Sequence, residues 1–152
     1  MPQKMFFTLG TSNRSLEEFL ALLREHAVKA VVDIRSFPTS RFPHFGKAAL
    51  QQNLEREGFR YYYLGKELGG FRKGGYLAHM ETDVFRKGIE GLEEIGRNER
   101  TAFLCSERFP WKCHRRWVAR ELTRRGWHVI HIIEPGKIWV PKREGSGNEA
   151  IS

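Results

Sequence analysis

The fourteen residues 104–117, LCSERFPWKCHRRW, gather the most reactive side chains of the chain. They hold its only two cysteines, a carboxylate, a histidine and four basic residues. Such a set could form a disulfide, half of a metal site or an anion-binding pocket with a reactive thiol. It could also be two ordinary buried thiols beside a basic helix. The spacing of these residues and the elements around them bear on each alternative.

The spacing of the cysteines disfavours a metal site and a disulfide. A structural zinc needs four ligands, usually with cysteines two to four residues apart, whereas Cys105 and Cys113 are eight apart and no second pair exists. A disulfide is geometrically conceivable, but the chain shows no secretory signal, and thiols stay reduced in the cytoplasm. We therefore expect a cytoplasmic protein with two unbridged thiols, no bound metal and no cofactor.

An anion-binding pocket with a reactive thiol is favoured instead. Proline is common in the first turn of a helix, so a helix beginning near Pro110 would place Cys113 and His114 in that turn. Unpaired N–H groups and the helix dipole attract anions there and would lower the pKa of the Cys113 thiol. The candidate catalytic residues are Cys113, His114 and Glu107. The alternatives are that His114 is a core histidine, that Glu107 only orients arginines, and that Cys105 is a small buried hydrophobe.

The remaining sequence alternates short apolar runs with amphipathic stretches, which is typical of an α/β domain. We predict one domain over residues 1–141 and a loose polar tail over 142–152. The expected sheet is Rossmann-like and mainly parallel, with about five strands, helices on both faces and a possible antiparallel sixth strand at an edge. Strands one, two and four should be central because their runs are the most uniformly apolar. The predicted strands span residues 5–9, 28–34, 59–64, 101–105, 127–133 and 137–140.

Helices are predicted wherever the apolar residues return at helical spacing. The first follows the capping box that starts at Ser15, and three more are expected over 47–57, 83–97 and 110–125. Residues 65–80 carry five glycines without a clear period. A loop of that length is usually a lid or a binding loop.

Polar side chains follow several of these strands. Because ligands of open α/β sheets bind outside the carboxyl ends of the strands, we expect these side chains and Glu107 to surround one cleft, covered by residues 66–75. Arginines there could grip a phosphate or a carboxylate through paired N–H donors, whereas Asp33 could instead serve only to orient them. The candidate anion-binding residues are Asn13, Arg14, Asp33, Arg35, Lys66 and Arg115.

Four segments in this order, GTSNRSLEEF, DIRSFPTSR, YLGKELGG and CSERFPWKCHR, resemble the family catalogued as domain of unknown function 488. The resemblance covers roughly residues 6–133. It implies an α/β fold and supplies no activity to carry over. Many members of that family have a histidine where this chain has Thr11, a departure that removes any proton transfer such a histidine would perform.

The charge of the chain points to an anionic partner. The formal net charge is +8, and residues 97–125 hold nine Lys/Arg against three Glu, a net +6. A basic stripe is the footprint of nucleic acid or of a phosphorylated ligand, or else a solvated helix face. No apolar run approaches the roughly 18 residues of a membrane span. The main hypothesis is a phosphate- or nucleotide-like ligand, and the alternative is weak, nonspecific nucleic-acid binding by the arginines of helix 114–125.

Overall fold

Six strands within residues 4–141, the part of the chain that this computed structural model describes, form one sheet. Their order is β3-β2-β4-β1-β5-β6. The predicted tail over 142–152 lies outside the described residues. The strands are β1 Met5–Gly10, β2 Ala30–Asp33, β3 Arg60–Tyr63, β4 Thr101–Cys105, β5 His128–Glu134 and β6 Lys137–Trp139.

The first five strands pair in parallel, and β6 pairs antiparallel with β5 at the edge. This confirms the predicted fold class. β2, β4 and β1 are adjacent in the middle of the sheet, as their uniformly apolar sequences predict. Every residue of β2 and β4 is buried, because helices cover both faces of these strands.

Helices on the two faces of the sheet make two hydrophobic cores. α1 and α2 pack on one face, where Phe7 and Leu9 of β1 point, and α5 and α6 pack on the other, where Phe6 points. None of the helices within residues 4–141 is long and apolar enough to cross a membrane. The helices are α1 Leu16–Glu25, α2 Lys47–Arg56, α3 Gly65–Leu68, α4 Tyr76–His79, α5 Asp83–Asn98 and α6 Arg115–Arg124.

The capping box predicted at the start of α1 is present. The Ser15 hydroxyl accepts from the N–H of Glu18 at 3.0 Å, and the Glu18 carboxylate accepts from the N–H of Ser15 at 2.7 Å. Two of the N–H groups that a helix start leaves unpaired are thereby satisfied. This fixes the direction of the chain immediately after Arg14.

The start of α6 differs from the prediction. Residues Pro110–Lys112 form a single 3-10 turn, and the α-helix begins only at Arg115. Cys113 between them is extended, with φ −137° and ψ 151°, and its N–H already donates to Pro110 O at 3.1 Å. The prediction that Cys113 lies in the first turn of a helix is therefore wrong: proline at this point begins a 3-10 turn, which ends one residue before Cys113.

Candidate functional site

A cavity of about 600 Å³ opens at the carboxyl edge of the sheet, between the loops that follow β1, β2 and β4. β1 and β4 are neighbours, but the chain leaves β1 toward α1 on one face and leaves β4 toward α6 on the other. Such a divergence opens the crevice where open α/β sheets bind ligands. The cavity is lined by Thr11, Ser12, Asn13, Thr39, Ser40, Arg41, Phe42, Ser106, Glu107, Arg108 and Phe109.

Backbone hydrogen bonds continue from the sheet into the cavity wall. The N–H of Thr11 donates to Cys105 O and the N–H of Ser12 donates to Ser106 O, both at 2.8 Å. The loops after β1 and β4 are therefore held side by side, and Thr11 itself is only 2% exposed. Two of the sequence candidates, Asn13 and Glu107, lie in this wall.

Arg14 is buried beneath the cavity wall rather than exposed in it. Its side chain is 3% exposed, Nε donates to Gly10 O, and Nη2 donates to Ile133 O, both at 2.7 Å. These two carbonyls lie near the carboxyl ends of the neighbouring strands β1 and β5. Arg14 thus ties the ends of two strands together.

Arg115 performs the equivalent task for the loop after β4. It has no exposed surface; Nη1 donates to Glu107 O at 2.9 Å and to Cys105 Sγ at 3.3 Å, and Nη2 donates to Arg108 O at 3.0 Å. Its Nε has no hydrogen-bond partner. The guanidinium shapes the wall by holding two consecutive carbonyls of the loop.

Arg108 in the cavity lining lies close enough to Arg14 and Arg115 for the charges to interact. Burial, followed by the positive charges of Arg108 and Arg115, lowers the pKa of Arg14 to about 10. Arg108 donates to neutral acceptors, Asn13 Oδ1 at 3.1 Å and Ile133 O at 3.5 Å, and these bonds do not cancel its charge. Positive charge is therefore concentrated beside the cavity, offset in part by Glu18 and Glu134 near Arg14 and by Glu107 in the lining.

Arg35 and Asp33 form a buried ion pair away from the cavity wall. Nε and Nη2 of Arg35 donate to the two Asp33 carboxylate oxygens at 2.8 and 2.7 Å, and Nη1 donates to Phe45 O at 2.7 Å. The Tyr61 hydroxyl donates to the same carboxylate at 2.6 Å. Burial lowers the pKa of Arg35, but the Asp33 carboxylate outweighs it, so the net shift is upward. All this hydrogen bonding is internal, which is the structural role weighed for Asp33.

Both thiols lie beside Arg115. The N–H of Arg115 donates to Cys113 Sγ at 3.4 Å, while its guanidinium contacts Cys105 Sγ. Both cysteines are free; Cys105 is buried and Cys113 is half-buried. The neighbouring Cys105 thiol, followed by burial, raises the pKa of Cys113, whereas its position in a helix turn had predicted a lowered one. Its greater exposure still favours Cys113 as the first thiol to be alkylated.

His114 bridges the start of α6 and the end of β2. Its Nε2 lies 3.1 Å from Ile34 O, an acceptor, so the geometry assigns the proton to Nε2 and leaves Nδ1 as an acceptor, 3.5 Å from Cys113 Sγ. Burial, together with the nearby charge of Arg115, lowers the pKa of His114 to about 4. The ring is neutral at pH 7, as expected of a core histidine, yet its free nitrogen faces the thiol.

The glycine-rich segment lies over His114 instead of over the cavity. Gly70 packs so closely on the imidazole that a Cβ there would lie 2.7 Å from Nδ1. The N–H of Phe71 donates to Ser36 Oγ at 3.0 Å, which fastens the segment to the end of β2. Lys66 is exposed and does not line the cavity. The predicted site is thus divided: Asn13 and Glu107 line the cavity, whereas Cys113 and His114 lie under this segment.

Sequence reasoning missed the third wall of the cavity and its charged groups. Residues 39–42 lack a periodic pattern, but the first three of them end the motif DIRSFPTSR that follows β2, and that placement was the available signal. Arg108 adjoins Glu107 but is not among the site residues that the sequence predicted. Its role depends on contacts with Asn13 and Ile133, which are distant in sequence.

The fold and this crevice define a mainly parallel α/β protein with a basic cleft at the point where the connections of adjacent strands diverge. Within residues 4–141, no group of three His, Cys, Asp or Glu side chains is placed to hold a metal ion. The profile of the family "Domain of unknown function DUF488" matches residues 15–122, more than half of the chain, so the protein belongs to that family. No curated protein and no solved structure matches the chain.

Proposed function

We propose that the cavity at the ends of β1, β2 and β4 binds a phosphate-bearing or other anionic small ligand of the cytoplasm. The observation that carries the proposal is that Arg108 in the cavity lining lies near two buried guanidiniums, those of Arg14 and Arg115. Like charges held together in a poorly solvated place are unfavourable, and a bound anion relieves that repulsion. The site is therefore electrostatically prepared for negative charge.

The lining supplies the groups that such a ligand needs. The hydroxyls of Ser12, Thr39 and Ser106 can donate to phosphate oxygens, and Arg41 adds an exposed cation at the rim. Phe42 and Phe109 give apolar surface that fits the organic part of a nucleotide-like ligand. A pocket with a few polar groups beside aromatic surface is typical of small-molecule sites.

The proposed function is ligand binding, and catalysis is secondary to it. Of the three candidate catalytic residues, Glu107 lines the cavity, while Cys113 and His114 lie outside its lining. Glu107 is therefore the candidate general base for a reaction of the bound ligand. The thiol pair belongs to a separate place in the fold.

Inorganic pyrophosphate should raise the Tm of the protein by roughly 5 °C at saturation, compared with chloride at equal ionic strength, because it binds only the native state. Arg108→Ala should remove most of that rise, and Arg41→Ala part of it. Differential scanning fluorimetry measures the increment within each variant, so that differences in basal stability cancel.

The matched control is Arg97→Ala, which removes the same charge from the exposed end of α5. It should keep the full increment. An equal pyrophosphate-dependent rise in Tm for Arg97→Ala and Arg108→Ala would show that the rise depends only on the net charge of the protein. That result would contradict the cavity proposal.

A second candidate, nonspecific nucleic-acid binding, is favoured by the exposed face of α6. The guanidiniums of Arg116 and Arg120 lie 4.5 and 5.8 Å from the Trp117 ring, so cations and an aromatic surface are combined. Three other arginines of the helix are held in the fold: Arg115 is buried, and Arg124 and Arg125 bind the Glu121 carboxylate, whereas Arg116 and Arg120 are exposed. The basic stripe available to a nucleic acid is thus shorter than the sequence predicts.

Any binding of DNA or RNA should accordingly be weak and mostly lost by about 200 mM salt, since affinity falls with salt by roughly 0.9 log units per log unit for each phosphate contact. Arg116→Glu with Arg120→Glu should abolish it in a fluorescence-anisotropy titration. Charge reversal at Arg124 or Arg125 is a poorer test because it would also break the contacts with Glu121. Tight, sequence-selective binding that survives Arg108→Ala would instead promote this candidate over the anion cavity.

A further inference from the structure

Cys105 and Cys113 are brought together by the turn between β4 and α6. β4 ends at Cys105, and the 3-10 turn Pro110–Lys112 returns the chain so that the two thiols lie close enough for each to shift the pKa of the other. Arg115 contacts both sulfurs, one through its guanidinium and one through its backbone N–H. The arrangement is a pair of thiols that are eight residues apart in sequence, with the guanidinium of Arg115 beside them.

The two sulfurs differ in access. Cys105 is 2% exposed, whereas Cys113 is half-buried in the extended residue before α6. A small reagent from solvent therefore meets Cys113 first. Cys105 is sheltered from solvent but remains within reach of Cys113.

The surroundings supply both the thiolate and the base that disulfide chemistry requires. Burial raises the pKa of Cys105, but the hydrogen bond from Cys113 and the charge of Arg115 outweigh it and lower that pKa to about 7. The unprotonated Nδ1 of His114 lies 3.5 Å from Cys113 Sγ, where it can accept a hydrogen bond from the thiol and orient it. Near neutral pH the pair therefore carries one negative charge on Cys105, and the Cys105 thiolate is the base that can take the proton of Cys113 as that thiol reacts.

We propose that Cys113 and Cys105 form a two-cysteine site that a hydroperoxide oxidises to an intramolecular disulfide. Cys113 gives its proton to the Cys105 thiolate and attacks one peroxide oxygen, the O–O bond breaks, the leaving oxygen takes up that proton as water or an alcohol, and Cys113 becomes a sulfenic acid. The Cys105 thiolate then attacks the Cys113 sulfur, the S–S bond forms, and hydroxide leaves and is protonated to water. Overall, two thiols and one hydroperoxide give one disulfide, one alcohol or water from the peroxide, and one water.

Treating the reduced full-length chain with hydrogen peroxide tests this site. Intact mass should fall by two hydrogens per chain, both thiols should disappear together, and peptide mapping should find the Cys105–Cys113 link. Cys105→Ser should instead stop at a sulfenic acid on Cys113, which a dimedone adduct traps. Cys113→Ser should lose its remaining thiol at least about tenfold more slowly, because buried thiols are poorly reactive.

The same reactions in denaturant show how fast the thiols are oxidised when the chain is unfolded. The native chain should form the disulfide faster than the denatured chain at equal pH and peroxide concentration, and each variant is compared with its own denatured form. Two persistently free thiols would overturn the proposal. So would a disulfide that forms only between chains, or dimedone labelling of the wild type equal to that of Cys105→Ser.

Discussion

Asp33→Ala is expected to lower the free energy of unfolding by about 3–5 kcal/mol, since removing one partner of a buried ion pair leaves the other charge uncompensated. Arg35 is 3% exposed and Asp33 is fully buried, so water cannot replace the lost carboxylate. The Tyr61 hydroxyl would lose its acceptor as well. Urea denaturation followed by circular dichroism measures the change.

Two further variants separate the buried pair from a general loss of charge. Glu57→Ala breaks the exposed pair with Arg24 and should cost no more than about 1 kcal/mol. Combining Asp33→Ala with Arg35→Met removes both charges, and the double variant should be more stable than Asp33→Ala alone. A cost below about 1 kcal/mol for Asp33→Ala would contradict the reading of this pair as structural.

The sheet could be predicted from the sequence because its signals are local. The continuous apolar run at 28–34 predicted a strand buried on both faces, and the strand occupies Ala30–Asp33. The capping box of Ser15 and Glu18 predicted the start of α1. Such patterns need no knowledge of distant residues, since burial and capping act on the segment that carries them.

The site was harder to predict because its arginines have structural roles that only tertiary contacts reveal. Arg14, Arg35 and Arg115 belong to the residue type that is usually exposed, yet each is at most 3% exposed. Their hydrogen-bond acceptors are carbonyls and a carboxylate, several of them distant in sequence, such as Ile133 O for Arg14. Their positions after the strands predicted that these arginines lie near the carboxyl edge of the sheet. The same positions did not predict whether the side chains line the cavity or support its wall.

Gly10 shows how closely the loops of the cavity are packed, and it should tolerate no larger residue. A Cβ at this position would lie 1.9 Å from Glu107 O and 2.8 Å from Arg108 Cα, both backbone atoms, so the loop after β4 would have to move. Moving it strains the hydrogen bonds that Arg115 makes to the same two residues.

Gly10→Ala should therefore cost about 3 kcal/mol or more, at the upper end for overpacked sites, and should abolish the pyrophosphate-dependent rise in Tm. Gly91→Ala is the matched control: its Cβ would meet only Leu64 at 3.9 Å in the middle of α5, so it should stabilise the fold by about 0.5–1 kcal/mol. Chemical denaturation of both variants gives the two stabilities, and thermal shifts with pyrophosphate give the binding. If Gly10→Ala kept wild-type stability and its full thermal shift, the close contact of β1 with the loop after β4 would not shape the cavity. If Gly10→Ala loses both stability and the pyrophosphate-dependent thermal shift, the cavity depends on that contact, because the alanine methyl displaces the backbone that carries Glu107 and Arg108.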